Sequence, residues 1–194
     1  MVDKENLKSE VLSAARTLFM SNGYENVGMR DVAKAVGRQP TQVYRLKLSK
    51  SDILAELILE LNAQQIERLP LITSKITKGT LQEKVGKYLL KMYEFDIEHL
   101  ALRQVGAAHG WSWSSEYEMK NFDQVSRLIA PIAKWIKEAE LDDVNARCLG
   151  IFSLYYVGFR GAVIGKSSAI GCLKMIQSSL TFYCRWTRNQ LGTR

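Results

Sequence analysis

The chain has 194 residues, 46% of them apolar and 24% charged, and a net charge of +7. That balance excludes a disordered or fibrous chain and fits a folded globular protein with one large domain or a small head on a larger body. Its three cysteines form no C-x-x-C pair, and the charged start MVDKENLKSE lacks the apolar segment of a secretion signal. A reduced, cytoplasmic protein without a disulfide framework, zinc site or cofactor is expected.

In chain order, the first helix is expected over Leu7 to Ser21, where Val11, Ala14, Ala15, Leu18 and Phe19 recur at three- and four-residue intervals and form one buried stripe. Gly23 stands where a left-handed cap is needed. A second helix is predicted from Met29 to Val36, stopping at Gly37, and a short third one opens at Pro40, which suits a first helical position. Ser49 and Asp52 have capping-box spacing for a fourth helix reaching about Arg68, which Pro70 ends. The polar stretch Thr73 to Gly79 reads as a joint. Helices follow near 81–98 and 99–108, then a GWSWS loop. Ser115 and Glu118 open a long helix bent by Pro131, because proline removes a backbone donor. Asp142 or Asp143 caps the next helix, through an apolar run to about Gly165, and Ser167 or Ser168 caps the last, ending near Gln190. No stretch alternates with period two, so the fold class is all-α. Cys148 to Gly165 is long enough for a membrane span, but Arg160 and four glycines interrupt it, and it reads as a buried helix.

Charge is unevenly distributed. Between Gly28 and Lys50, Arg30, Lys34, Arg38, Arg45, Lys47 and Lys50 face a single acid, Asp31, and Val144 to Arg194 holds no acid at all. Such local excess is the footprint of a nucleic-acid binder. The first zone coincides with GMRDVAKAVGRQPTQVYRLK, residues 28–47, whose pattern is that of a helix-turn-helix. Ala33 lies where two helices cross, Gly37 supplies the positive φ of the turn, and Val43 drops back beside Val32 and Val36. A helical hairpin with a solvated basic face has the same spacing. The short helix after the turn favours DNA, because Gln39, Thr41 and Gln42 can read base edges while Tyr44, Arg45 and Lys50 suit phosphates. Arg30, Arg38, Pro40 and Lys47 complete the expected contact set.

With VLSAARTLFMSNGYENVGMRDVAKAVG, then Tyr44, then SKSDIL, the chain resembles the TetR family over about residues 8–60. The resemblance implies a helix-turn-helix head (1–48), a connecting helix (49–68) and a helical ligand-binding and dimerisation body (69–194). It also implies a homodimer on a near-palindromic operator, released by a small hydrophobic effector. The chain departs from the family at three positions. Gly28 stands where Thr or Ser is usual, Arg38 replaces an apolar residue after the turn glycine, and Lys47 replaces an aromatic.

RGAVIGKS, residues 160–167, imitates a phosphate loop but has arginine where the first glycine is required and follows a helix rather than a strand. His99 and His109 lie off any metal-ligand spacing, and no catalytic constellation stands out, so no enzyme is expected. The body is rich in aromatics. Tyr93, Trp111, Trp113, Phe122, Tyr155 and Phe159 are the expected walls of an apolar effector cavity. Arg160, the one charge in the apolar run, is the expected anchor for an anionic end of the effector; an ion pair with Glu94 or Asp96, or a side chain that snorkels to the rim, is the alternative.

Overall fold

The computed structural model describes residues 2–185, all of whose regular elements are helices. They are α1 (Val2–Asn22), α2 (Met29–Ala35), α3 (Pro40–Tyr44), α4 (Lys50–Glu67), α5 (Leu69–Ser74), α6 (Leu81–Glu98), α7 (Leu100–His109), α8 (Ser115–Glu138), α9 (Val144–Gly165) and α10 (Ala169–Cys184), with two short 3-10 turns at Tyr24–Asn26 and Gly110–Ser112. They group into two compact units, residues 1–64 with 99–125, and residues 65–98 with 126–194.

The first unit is built on the apolar stripe of α1. Val11, Ala15 and Phe19 are buried together with Val32, Val43, Ile53 and Leu57 from the following helices. Polar ties surround this core. Lys8 meets Glu56 at 2.8 Å, Arg16 meets Glu60 at 2.7 Å, and the Tyr117 hydroxyl donates to Glu56 at 3.0 Å. α7 closes onto α4 at Gly106, where a Cβ would come within 2.5 Å of the Ile58 side chain. His109 lies 3.0 Å from Glu25 and its ring packs on Tyr24.

In the second unit α9 packs along α10, and both meet α6. Gly158 is buried because a Cβ there would lie 2.1 Å from the Tyr93 hydroxyl and 2.9 Å from the Cys172 carbonyl. Tyr93 and Tyr155 stack at 4.5 Å, the Tyr93 hydroxyl donates to the Tyr155 carbonyl at 3.0 Å, and the Tyr155 hydroxyl donates to Asp96. Arg147 is buried at the start of α9 but fully engaged. It donates to the carbonyls of Asp142 (2.7 Å), Tyr183 (2.8 Å) and Arg185 (3.1 Å), and it pairs with the Asp142 carboxylate at 3.0 Å. Its guanidinium thereby satisfies carbonyls at the end of α10, where a helix leaves its acceptors unpaired.

The structure refines four expectations. α1 begins at Val2 rather than Leu7. Pro70 opens a helix instead of ending one: it sits in the first turn of α5, where the missing N–H is not needed, so the expected joint shrinks to 75–80. Asp143 precedes α9 in a left-handed conformation (φ 51°) and makes no side-chain cap; its carbonyl accepts from Arg147 N–H instead. Ser168 does cap α10, accepting from Gly171 N–H at 3.2 Å, while the expected end of that helix near Gln190 lies outside the described residues. α9 is long and apolar enough, by length and composition, to cross a membrane.

Candidate nucleic-acid interface

The turn between α2 and α3 is a reciprocal C-terminal cap. Gly37 has φ 64°, its N–H donates to the Lys34 carbonyl at 3.1 Å, and the Arg38 N–H reaches back to Ala33 at 3.0 Å. This pair of bonds defines a Schellman motif, in which the residue after the glycine is usually apolar and packs on the helix. Here that residue is Arg38, and it pairs with Glu10 of α1 at 3.6 Å instead. Ala33 and Val32 have no exposed surface and Val43 has 1%, so the two helices are held as the spacing requires.

α3 begins with Pro40 and is anchored at its start by the Gln39 N–H, which donates to Oε1 of Gln42 at 3.1 Å. It ends where Lys47 takes a left-handed conformation (φ 58°) that lets Leu46 turn into the core. Gln39, Thr41, Gln42, Tyr44, Arg45 and Lys47 are all exposed, Tyr44 by 52%, although an aromatic ring without a partner surface is ordinarily covered. Gln42 has its side-chain carbonyl in use and its amide nitrogen free. It can donate to a purine acceptor as it stands, and a bidentate contact requires it to release Gln39.

The other expected cations divide into two groups. Arg30 is exposed on α2, and so is Lys34, a cation in the last turn of α2 that the expected contact set omitted and that only the charge excess signalled. Lys50 is half-buried, donates to the Tyr24 carbonyl at 3.0 Å and lies 4.2 Å above the Tyr24 ring. It ties the start of α4 to the 3-10 turn that follows α1. Asp31, the one acid of the zone, accepts from the Gly28 N–H at 2.7 Å, which sets its charge against the positive end of α2. Ser49 and Asp52 form the expected reciprocal cap, at 2.8 and 3.1 Å.

The residues expected to wall an effector cavity fall in both units. Trp111 and Phe122 are 94% and 74% exposed, and Trp113 is half-buried with no hydrogen-bond partner for its indole N–H. These three belong to the first unit; Tyr93, Tyr155 and Phe159 are buried in the second. Arg160 is exposed and makes no ion pair among the described residues. Asp96 accepts from Tyr155, and Glu94 pairs with Lys91 at 2.6 Å. Among the described residues, no group of three or more His, Cys, Asp or Glu side chains gathers as for a metal ion.

A helix-turn-helix with an exposed, hydrogen-bonding second helix, carried on an otherwise helical chain, defines a DNA-binding transcriptional regulator. Residues 11–57 match the family model described as bacterial regulatory proteins, tetR family. Over this head the chain is similar to the tetR family. The fold of the whole chain agrees. It is similar to FadR of Bacillus subtilis, solved in complex with stearoyl-CoA, at 21% identity over 89% of this chain and 96% of that one, with a TM-score of 0.67. A TetR/AcrR-family regulator of Thermobifida fusca shares 18% identity over 96% and 98% of the two chains, with a TM-score of 0.68. A tetR-family regulatory protein of Rhodococcus shares 17% over 93% and 98%, with a TM-score of 0.66. A comparison with curated protein sequences finds no match.

Proposed function

We propose that the chain is a cytoplasmic repressor that binds a near-palindromic operator as a homodimer and leaves it when a small hydrophobic effector with an anionic end enters the body. The observation that carries this reading is the exposed face of α3. Gln39, Thr41 and Gln42 stand at the start of the helix with Tyr44, Arg45 and Lys47 at its end, which places base-reading groups first and phosphate-holding groups behind them. Arg30, Lys34 and Arg38 add charge along the same segment. Lys50 contributes to phosphates only by giving up Tyr24.

Dimerisation is supported by α9 and α10. Leu149, Val157 and Ile164 on α9, and Ile170, Met175 and Phe182 on α10, are large apolar side chains left exposed on two adjacent helices. Surfaces of this kind are normally covered by another protein. A second copy of the same pair of helices makes a four-helix interface with two-fold symmetry, and two heads on that axis require inverted half-sites. The FadR neighbour is solved with an acyl-CoA, which supports an effector having an apolar arm and an anionic head.

Selection of bound sequences from random duplexes tests the reading. Two inverted half-sites at fixed spacing are expected. Enrichment of a single, unrepeated half-site would refute the dimeric operator, and no enrichment at all would refute sequence-specific binding.

A further inference from the structure

The second unit carries an open groove of about 900 Å³ that uses none of the residues expected to bind an effector. Its size is that of a small-molecule site, for which ~300–1,000 Å³ is typical. α5 and the loop behind it form one wall, and the second half of α8 forms the other. Leu69, Pro70, Ile76, Pro131 and Trp135 give it an apolar lining. Trp135 is held rigidly there, with its ring edge-on to Tyr88 at 5.8 Å.

Three cations line the same groove: Lys84, Arg127 and Lys134. The one acid is Glu138, 3.8 Å from Lys134 on the next turn of α8. Neither Lys84 nor Arg127 has an acid within ion-pair distance among the described residues. Lys75 and Lys78, exposed on the loop behind α5, add to the local excess. A concave apolar surface with unpaired cations repels cationic amphiphiles and gives neutral ones nothing beyond area. It favours a molecule whose head carries more than one negative charge.

We propose that this groove binds a free anionic amphiphile: a phosphate-bearing head held by Arg127, Lys84 and Lys134, with an alkyl arm along Leu69, Ile76 and Trp135. The assignment goes beyond the regulator reading. It names a site and a ligand chemistry and holds whether or not the ligand releases DNA.

Calorimetry on the full chain without DNA decides it, with octyl phosphate below its micelle concentration as the probe. Octyl glucoside supplies the same arm without charge, and inorganic phosphate supplies the head without the arm. One octyl phosphate per chain is expected, bound at least about tenfold more tightly than either comparator, since charge-assisted hydrogen bonds are each worth about 1.5–3 kcal/mol. Arg127→Gln and Lys84→Gln should each weaken it about tenfold. Ala130→Trp, which fills the groove from an exposed position of α8, should abolish it, and Lys87→Gln, exposed on α6 three residues beyond Lys84 but outside the groove, should change nothing. Circular dichroism confirms that the variants fold, as substitution at exposed or half-buried positions predicts. Equal binding of octyl phosphate and octyl glucoside, indifference to both Arg127→Gln and Lys84→Gln, or binding only to vesicles of phosphatidic acid overturns the proposal.

Discussion

Arg147 and Arg160 both lie on α9, thirteen residues apart, which is about 220° around the helix. The sequence singles out Arg160, the lone charge within an apolar run, as the guanidinium in need of a partner. The structure exposes Arg160 and buries Arg147, one position before that run. Composition locates a charge along a helix but not around it, and besides Asp142 the partners of Arg147 include backbone carbonyls from a segment 36 and 38 residues away, which no spacing rule reveals. Arg147→Met should cost about 2–4 kcal/mol in urea denaturation, because carbonyls at the end of α10 lose a charged donor and nothing replaces it. A loss under about 0.5 kcal/mol, typical of a surface change, would show that water serves these carbonyls equally well. The cysteines follow the same logic of burial. All three are free, and burial pushes Cys184 up to about 11, with the nearby Arg147 charge opposing this. A thiol that keeps its proton longer when folded than when unfolded leaves stability intact below about pH 8.5, its ordinary value, and erodes it as pH rises towards 11. Labelling of the native chain by a disulfide reagent should therefore stay slow at pH 8 and accelerate only above pH 10; rapid labelling at pH 8 would contradict the burial of this side chain.

At the scale of elements, the head was readable and the body was only partly so. Ala33, Gly37 and Val43, and the Ser49–Asp52 cap, are local devices whose partners lie within a few residues, and the structure keeps each of them. α5 was missed because Pro70 reads equally as the end of one helix or the start of another, and only the tertiary surroundings choose. The aromatics of the body were legible only as buried or exposed, for a related reason. Helical spacing assigns Tyr93 and Tyr155 to buried faces but cannot say that they stack on each other. The glycines of α9 show the same thing: the sequence places four of them in the apolar run but cannot say that Gly158 is closed by Tyr93 and Cys172 of its own chain. Gly158→Ala should cost about 1–3 kcal/mol by overpacking, read as a lower thermal midpoint, and an unchanged midpoint would mean that α6 and α9 have room to part. On α3, Gln42→Ala should lose about 1–3 kcal/mol on the selected operator and little on random DNA. Arg45→Ala should weaken both alike and shallow the salt dependence by about one unit. Equal losses for the two variants on both kinds of DNA would assign Gln42 to the cap of α3 alone.

For the molecule as a whole, the exposed apolar side chains of α9 and α10 make a monomer the unexpected state. Sedimentation at micromolar concentration should show a dimer, and Ile164→Asp with Phe182→Asp should dissociate it while leaving the helical content unchanged. Operator affinity should then fall by far more than binding to an isolated half-site, because two linked contacts become one. A double variant that stays dimeric would place the interface elsewhere. Arg147 has one further consequence, for the order in which the chain takes shape as it is made. Its guanidinium can be withdrawn from water only when the carbonyls of Tyr183 and Arg185 have been made. The first unit has all its residues by position 125 and can close while the ribosome is still adding α9. The second must wait for residues 183 and 185. A message cut short before codon 183 thus yields a finished first unit and an unclosed second one, a product exposed to proteases in the cell.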